Sequence, residues 1–344
     1  MFSNLLGNDE AKETLTRLFA GERLPGSLLF IGDEGIGKKL FALEFARMLN
    51  CRNRVGVEAC DECSPCKRIS RSKFLPFGNT DDDKERIIWS EHADVAMVRP
   101  YKQIIRVSPI RELEREANFR PFEGSARVFI IEDADYMNDQ ASNALLKTLE
   151  EPQPSSHLIL TTSNPTALLA TIRSRCQVIR FAPIPVDELE SFLIRSQGLT
   201  DSDAKLLARL ARGSLGRALS ADLETYRERR AAMLTVLKAL TLEGDVGQLL
   251  RAAEELAAGD RDEYEQTLEG LETLIRDAWS LRLERPQDSI INLDLVTDLK
   301  PIAAEMQSRP ARAWLQAIEE LRGTLEVNIN RRIATDALFL TMAS

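Results

Sequence analysis

Seven consecutive residues, Gly32-Asp33-Glu34-Gly35-Ile36-Gly37-Lys38, constrain this chain more than any other stretch. They follow the apolar, β-like run Ser27–Ile31 and open a segment, 37–50, that places Phe41, Phe45 and Leu49 on one helical face at i, i+4 and i+8. Glycines in a strand-to-helix turn let successive backbone N–H groups face an anion. The helix N-terminus adds its dipole, and the lysine meets the outer phosphates. A plain glycine-rich turn is the competing reading, and the flanking strand and helix weigh against it. The expectation is a parallel α/β domain built around a phosphate loop.

The rest of the first half alternates in the same way. Strands are expected at 94–98, 104–107, 128–131, 157–161 and 177–181, with helices between them. Ser108-Pro109 reads as a helix cap followed by a first-turn proline, and Asn138 as the cap of a helix that stops before Pro152. Near Pro183 the pattern changes to helical spacing throughout, as in Met233, Val236, Leu237 and Leu240. The fold class is therefore α/β followed by all-α. Expected domains are 1–183 (α/β), 184–224 (a small helical unit) and 225–344 (a larger helical bundle). Pro76, Gly78 and Asp81-Asp82-Asp83 mark 74–85 as a solvated loop. No internal repeat of domain-building length is evident.

At 44% apolar and 29% charged residues the chain has the balance of a packed globular protein and not of a disordered one. Its net charge of -9, with the acidic excess mostly C-terminal, excludes a generally basic nucleic-acid coat but not a local basic patch. The absence of a long apolar run or a signal-like start points to a cytoplasmic protein with no membrane partner.

Four of the five cysteines, Cys51, Cys60, Cys63 and Cys66, fall in the spacing C-x8-C-x2-C-x2-C. In a reducing compartment that pattern reads as a closed tetrahedral Zn²⁺ site, structural because no coordination position is left for water or substrate; an iron–sulfur cluster is the competing reading. Arg52, Arg54, Lys67, Arg68, Arg71 and Lys73 surround it, as a solvated rim or a phosphate contact. Cys176 reads as a small buried hydrophobe, since neither His92 nor His157 is placed by sequence as its base.

The phosphate loop departs from a working one. Lys39 stands where Ser or Thr would offer a hydroxyl to Mg²⁺. The apolar run Val128-Phe129-Ile130-Ile131 ends in Glu132-Asp133, the reverse of the usual Asp-Glu order, and a displacement of about 1 Å at such a position can cost about 10²-fold in rate. Ser174-Arg175-Cys176 precedes the last expected strand. By composition alone Arg175 is a surface residue, although an arginine supplied in trans can stabilise charge on a transferring phosphoryl group.

Taken together, these motifs resemble the clamp-loader branch of the AAA+ ATPases. The resemblance spans nearly the whole chain. It includes Arg120-Pro121-Phe122-Glu123-Gly124, Asn143-Ala144-Leu145-Leu146-Lys147-Thr148-Leu149-Glu150-Glu151-Pro152, Thr171-Ile172-Arg173-Ser174-Arg175-Cys176, Gly213-Ser214-Leu215-Gly216-Arg217-Ala218 and Asn328-Ile329-Asn330-Arg331. It implies an AAA+ P-loop domain with an inserted zinc module at 51–66, a helical lid, and a C-terminal collar that joins five subunits in a ring. The implied partners are the other clamp-loader subunits, the sliding clamp and primer–template DNA. Cofactor-binding positions would be Gly32, Gly35, Gly37, Lys38 and Lys39 of a degenerate P-loop with Glu132 and Asp133 of a degenerate acidic strand. Arg175 would be the finger that reaches a neighbour's ATP. Gly216 takes the place of the lid's phosphate-sensing arginine, with Arg217 one step later. The expectation is a subunit that can bind ATP but is not expected to hydrolyse it by itself; the rival is an active motor-type ATPase of the same branch.

Overall fold

The computed structural model describes residues 2, 5–21, 24–71, 86–325 and 329–343, with Glu243 described through its backbone only. The expected loop at 74–85 and Asn328 of the C-terminal motif lie outside them.

Among the described residues one sheet forms from β1 (Ser27–Ile31), β2 (Ile88–Trp89), β3 (Val95–Val98), β4 (Arg127–Ile131), β5 (Ser156–Thr162) and β6 (Gln177–Arg180), in the order β2-β3-β4-β5-β1-β6. β2 is an antiparallel edge and every other pairing is parallel. Because side chains alternate across a strand, Leu28, Phe30, Met97, Val128, Ile130 and Ile159 enter one core, and Leu29, Val98, Phe129, Ile131, Leu158 and Leu160 the other. The first core is closed by α1 (Asp9–Ala20), α2 (Lys38–Asn50) and α3 (Ser64–Arg71), the second by α4 (Val107–Ala117), α5 (Asp139–Glu150) and the short α6 (Ala170–Arg173). Covered on both faces, the central strands read as continuous apolar runs. The carboxyl ends of β1, β4 and β5 thereby converge, where ligands of open α/β sheets bind.

The expected strand at 104–107 does not form. Tyr101 and Ile104 make one isolated bridge and Ile105 another with Met137, while Val107 already begins α4. The cap position is Arg106 and not Ser108; Pro109 sits in the first turn, where a backbone N–H would have no intrahelical acceptor. Asn138 does cap α5, accepting the Ala141 N–H at 2.9 Å, and α5 ends at Glu150 ahead of Pro152.

No strand follows residue 183 among the described residues. The chain divides into two compact units, Met1–Gly198 with Ala211–Leu219, and Leu199–Leu210 with Ser220–Ser344. The first includes α7 (Val186–Gln197) and α9 (Leu215–Ser220); the second holds α8 (Asp201–Leu210) and α10 (Leu223–Lys238) through α11 (Val246–Ala258), α12 (Arg261–Arg282), α13 (Val296–Glu305), α14 (Ser308–Thr324) and α15 (Arg331–Ala343). In the second unit α12, started by an Asp260–Glu263 capping box, buries Tyr264, Leu268, Leu271 and Leu274 among the surrounding helices. No described helix is long and apolar enough to cross a membrane.

Candidate functional site

The loop after β1 takes the turn its glycines allow, with φ of +74° at Gly35 and +99° at Gly37. Gly35 also meets α9: a Cβ there would stand 2.3 Å from Ser214 Oγ, and the Gly216 N–H donates to Gly35 O at 2.9 Å. Lys38 turns back on its own loop, donating to the carbonyls of Gly32 at 2.6 Å and Asp33 at 2.7 Å. Burial lowers its pKa against the opposing pull of Asp133, Asp135, Asp33 and Glu34.

Next to it, Lys39 Nζ pairs with Glu132 Oε2 at 3.0 Å. Asp133 has a left-handed backbone (φ 48°), donates its N–H to Thr161 Oγ1 at 3.1 Å, and has its carboxyl pKa raised by burial, then by Glu132 and Asp135. Thr162 Oγ1 donates to Asp135 Oδ1 at 2.6 Å. The fold thus brings all the phosphate-loop and acidic-strand residues together. Their arrangement does not fit a Mg²⁺ ion held as in a working loop: the Lys39 side chain has no oxygen to ligate a cation, and Glu132 is paired with its ammonium. Gly216 contributes backbone alone, and Arg217 is exposed.

Arg175 lies apart from that loop, in the turn between α6 and β6. It donates to Thr171 O at 3.1 Å and to Glu150 Oε1 at 2.7 Å, with its side chain 35% exposed. Its neighbour Cys176 is buried, which pushes the thiol pKa up to about 12 and leaves no thiolate for nucleophilic chemistry.

Cys51, Cys60, Cys63 and Cys66 bring their four sulfurs within 4.8 Å of one another, so the cluster can hold a metal ion. Four thiolates about 2.3 Å from one tetrahedral ion lie about 3.8 Å apart, close to this packing, whereas a cluster of several irons spreads its cysteines more widely. The N–H groups of Cys60 and Cys63 donate to Cys51 Sγ and Cys60 Sγ, both at 3.3 Å. Burial raises the Cys63 pKa, but the N–H groups of Cys66 and Arg52 outweigh it and bring the thiol to about 6, toward the ligating thiolate. Arg47 of α2, paired with Glu44 on its own helix, ties the module down through Asp61.

Some of the surrounding basic residues serve the fold. Arg54 stacks 4.6 Å over Phe19, and Arg68 forms a two-pronged ion pair with Glu123 at 2.5 and 2.8 Å; Lys73 lies outside the described residues. Glu123 belongs to a loop that sequence reasoning left without a mechanism. Asp94 accepts the N–H groups of Phe122, Glu123 and Gly124 at 2.7 to 2.9 Å, and Asn50, next to Cys51, accepts those of Ser125 and Ala126. The metal module and the Arg120–Gly124 motif are thereby one hydrogen-bonded assembly. The only local signal was a buried acid, Asp94, at the head of an apolar strand.

A family model described as DNA polymerase III, delta subunit, matches residues 7–185, over half of the chain. DNA polymerase III subunit delta' of Bacillus subtilis is 28% identical over 310 residues, which span 90% of this chain and 88% of that protein. The subunit delta' of Escherichia coli is 28% identical over 308 residues, 89% of this chain and 83% of that one. A tau/gamma subunit from Haemophilus influenzae is 29% identical over 226 residues, 64% of this chain and 30% of its own length.

Proposed function

Because this chain belongs to the DNA polymerase III delta subunit family, we propose that it works as a clamp-loader subunit of the replicative polymerase that hydrolyses no ATP itself and lends Arg175 to the nucleotide of a neighbouring subunit. The observation that carries the first part is the Lys39–Glu132 ion pair. In a working site the residue at position 39 offers a hydroxyl to Mg²⁺ and the acids orient water. Here a lysine and an acid neutralise each other, so neither is available. The reversed Glu132-Asp133 order and Gly216 in place of a lid arginine act in the same direction.

The second part rests on chemistry and position. Phosphoryl transfer spreads negative charge over the equatorial oxygens, and a guanidinium supplied by an adjoining chain stabilises it without moving the nucleotide. Arg175 is partly exposed and, among the described residues, is held by a solvent-reachable carboxylate and local oxygens, so an incoming phosphate can compete for it. Matches to delta' subunits run over 89–90% of this chain and matches to tau and tau/gamma subunits over 64–72% of it, which supports the delta'-type assignment.

In this reading the C-terminal helices form the collar of a five-membered ring in the cytoplasm, and sliding clamp and primer–template DNA meet the complex as a whole. The four thiolates would hold Zn²⁺, which supplies a closed, redox-inert cross-link between the end of α2 and α3. The test is ATP turnover by the isolated protein with Mg²⁺ and by the reconstituted complex with clamp and primed DNA. None is expected from the isolated chain. Magnesium-dependent turnover that disappears on Lys38→Ala would make it a motor subunit and overturn the reading.

A further inference from the structure

We infer that Glu150 is a positioning residue for Arg175: a carboxylate latch that holds the guanidinium against the end of α5 until the phosphate of a neighbouring subunit displaces it. The inference rests on the reading of Arg175 as the residue lent in trans. Three observations carry it. The Arg175 Nη2 to Glu150 Oε1 contact is 2.7 Å, within the range of a charge-assisted hydrogen bond, while Nη1 donates to Thr171 O at 3.1 Å, so the guanidinium has one defined resting place. Both partners are open to solvent, with side chains 35% and 51% exposed, so a phosphate can reach the pair.

The third observation is the residue type. Glu150 is the last residue of α5, followed by Glu151. A helix C-terminus carries partial negative charge and favours cations, so an acid there opposes the dipole. The helix gains nothing from Glu150 by itself; the carboxylate is favourable because Arg175 faces it. An exposed pair of this kind is worth only a small bias, which suits a latch: it holds the resting rotamer yet yields to a multiply charged anion.

The bias sets the size of the effect. Removing the carboxylate while keeping its shape, by Glu150→Gln, should lower the KM for ATP of the reconstituted complex about two- to five-fold and leave kcat unchanged, because the latch opens before the chemical step. The experiment is a double-mutant cycle on the complex with clamp and primed DNA, comparing wild type, Glu150→Gln, Arg175→Ala and the double variant. Assembly is checked for each by size-exclusion chromatography. Expected are a lowered KM, a gain in apparent affinity, for Glu150→Gln with Arg175 present and no such gain with Arg175→Ala. A gain that persists without Arg175 would mean that Glu150 acts through α5, and an unchanged or raised KM in the presence of a functional Arg175 would mean that it is no latch; either overturns the inference. If Arg175→Ala itself leaves turnover unaltered, the reading of Arg175 is what fails, and the latch falls with it.

Discussion

The Lys39 ammonium and the Glu132 carboxylate, 93 residues apart in sequence, meet at 3.0 Å beyond the carboxyl ends of β1 and β4, the two strands that flank β5. Phosphate-loop chemistry needs a divalent cation in the company of such a carboxylate. Here a tethered ammonium takes that partner's place, so Glu132 is neutralised without a cation, and under the proposed function the loop keeps its glycines and Lys38 without turning over ATP.

If Lys39 were the sole defect, Lys39→Thr would restore turnover. The account expects it not to, because the acids remain in reversed order and Gly216 still lacks a side chain. Phosphate release by the isolated variant should stay at background. Stability should fall by at most about 1 kcal/mol, since the pair is partly solvated and screened.

Gly35 is held by α9. Gly35→Ala adds a Cβ where φ is +74° and where Ser214 Oγ would be 2.3 Å away, so urea unfolding should show a loss of about 1 to 3 kcal/mol. Adding Ser214→Ala should recover part of it by removing the oxygen. No recovery would mean that backbone strain at Gly35, and not the α9 contact, sets the cost.

Elemental analysis should find about one zinc per chain, with no colour from iron, and a strong chelator should lower the melting temperature. Cys63→Ser should do the same. A protein that carries no metal when purified without chelator would refute the site.

Arg68 draws Glu123 down to about 2, well below the ordinary carboxylate range; Glu123 is depressed first by that hydrogen bond and further by the Ala93 N–H. A carboxyl whose pKa is lower in the folded state adds stability above its unfolded value and loses it as pH falls toward the folded one. The difference in urea midpoint between wild type and Glu123→Gln should therefore be constant above about pH 5 and shrink steadily between pH 4.5 and 2. A difference independent of pH across that window would mean that Glu123 acts by shape alone.

What could be read in the sequence was local. The glycine run, the cysteine spacing and the buried strands announce themselves within a few residues, because each depends on a period or a ligand geometry set by near neighbours. The segment 104–107 misled because apolar β-branched residues suit a strand and a helix start alike, and only the Ile105–Met137 bridge and the Arg106 cap separate the two. Contacts between distant segments, such as Gly35 against Gly216 and Asp94 gathering three N–H groups, left no such trace. Glu150 did leave a faint one, as an acid at the wrong end of a helix. Lys39 was legible as a defect, but not as one half of an ion pair.

A subunit inert at its own loop that serves a neighbour's should show itself in the ATP turnover of the reconstituted complex carrying Arg175→Ala, with clamp and primed DNA present. Assembly should stay intact, and stimulated turnover should fall by at least one site's share. Turnover equal to wild type in a correctly assembled complex would contradict it.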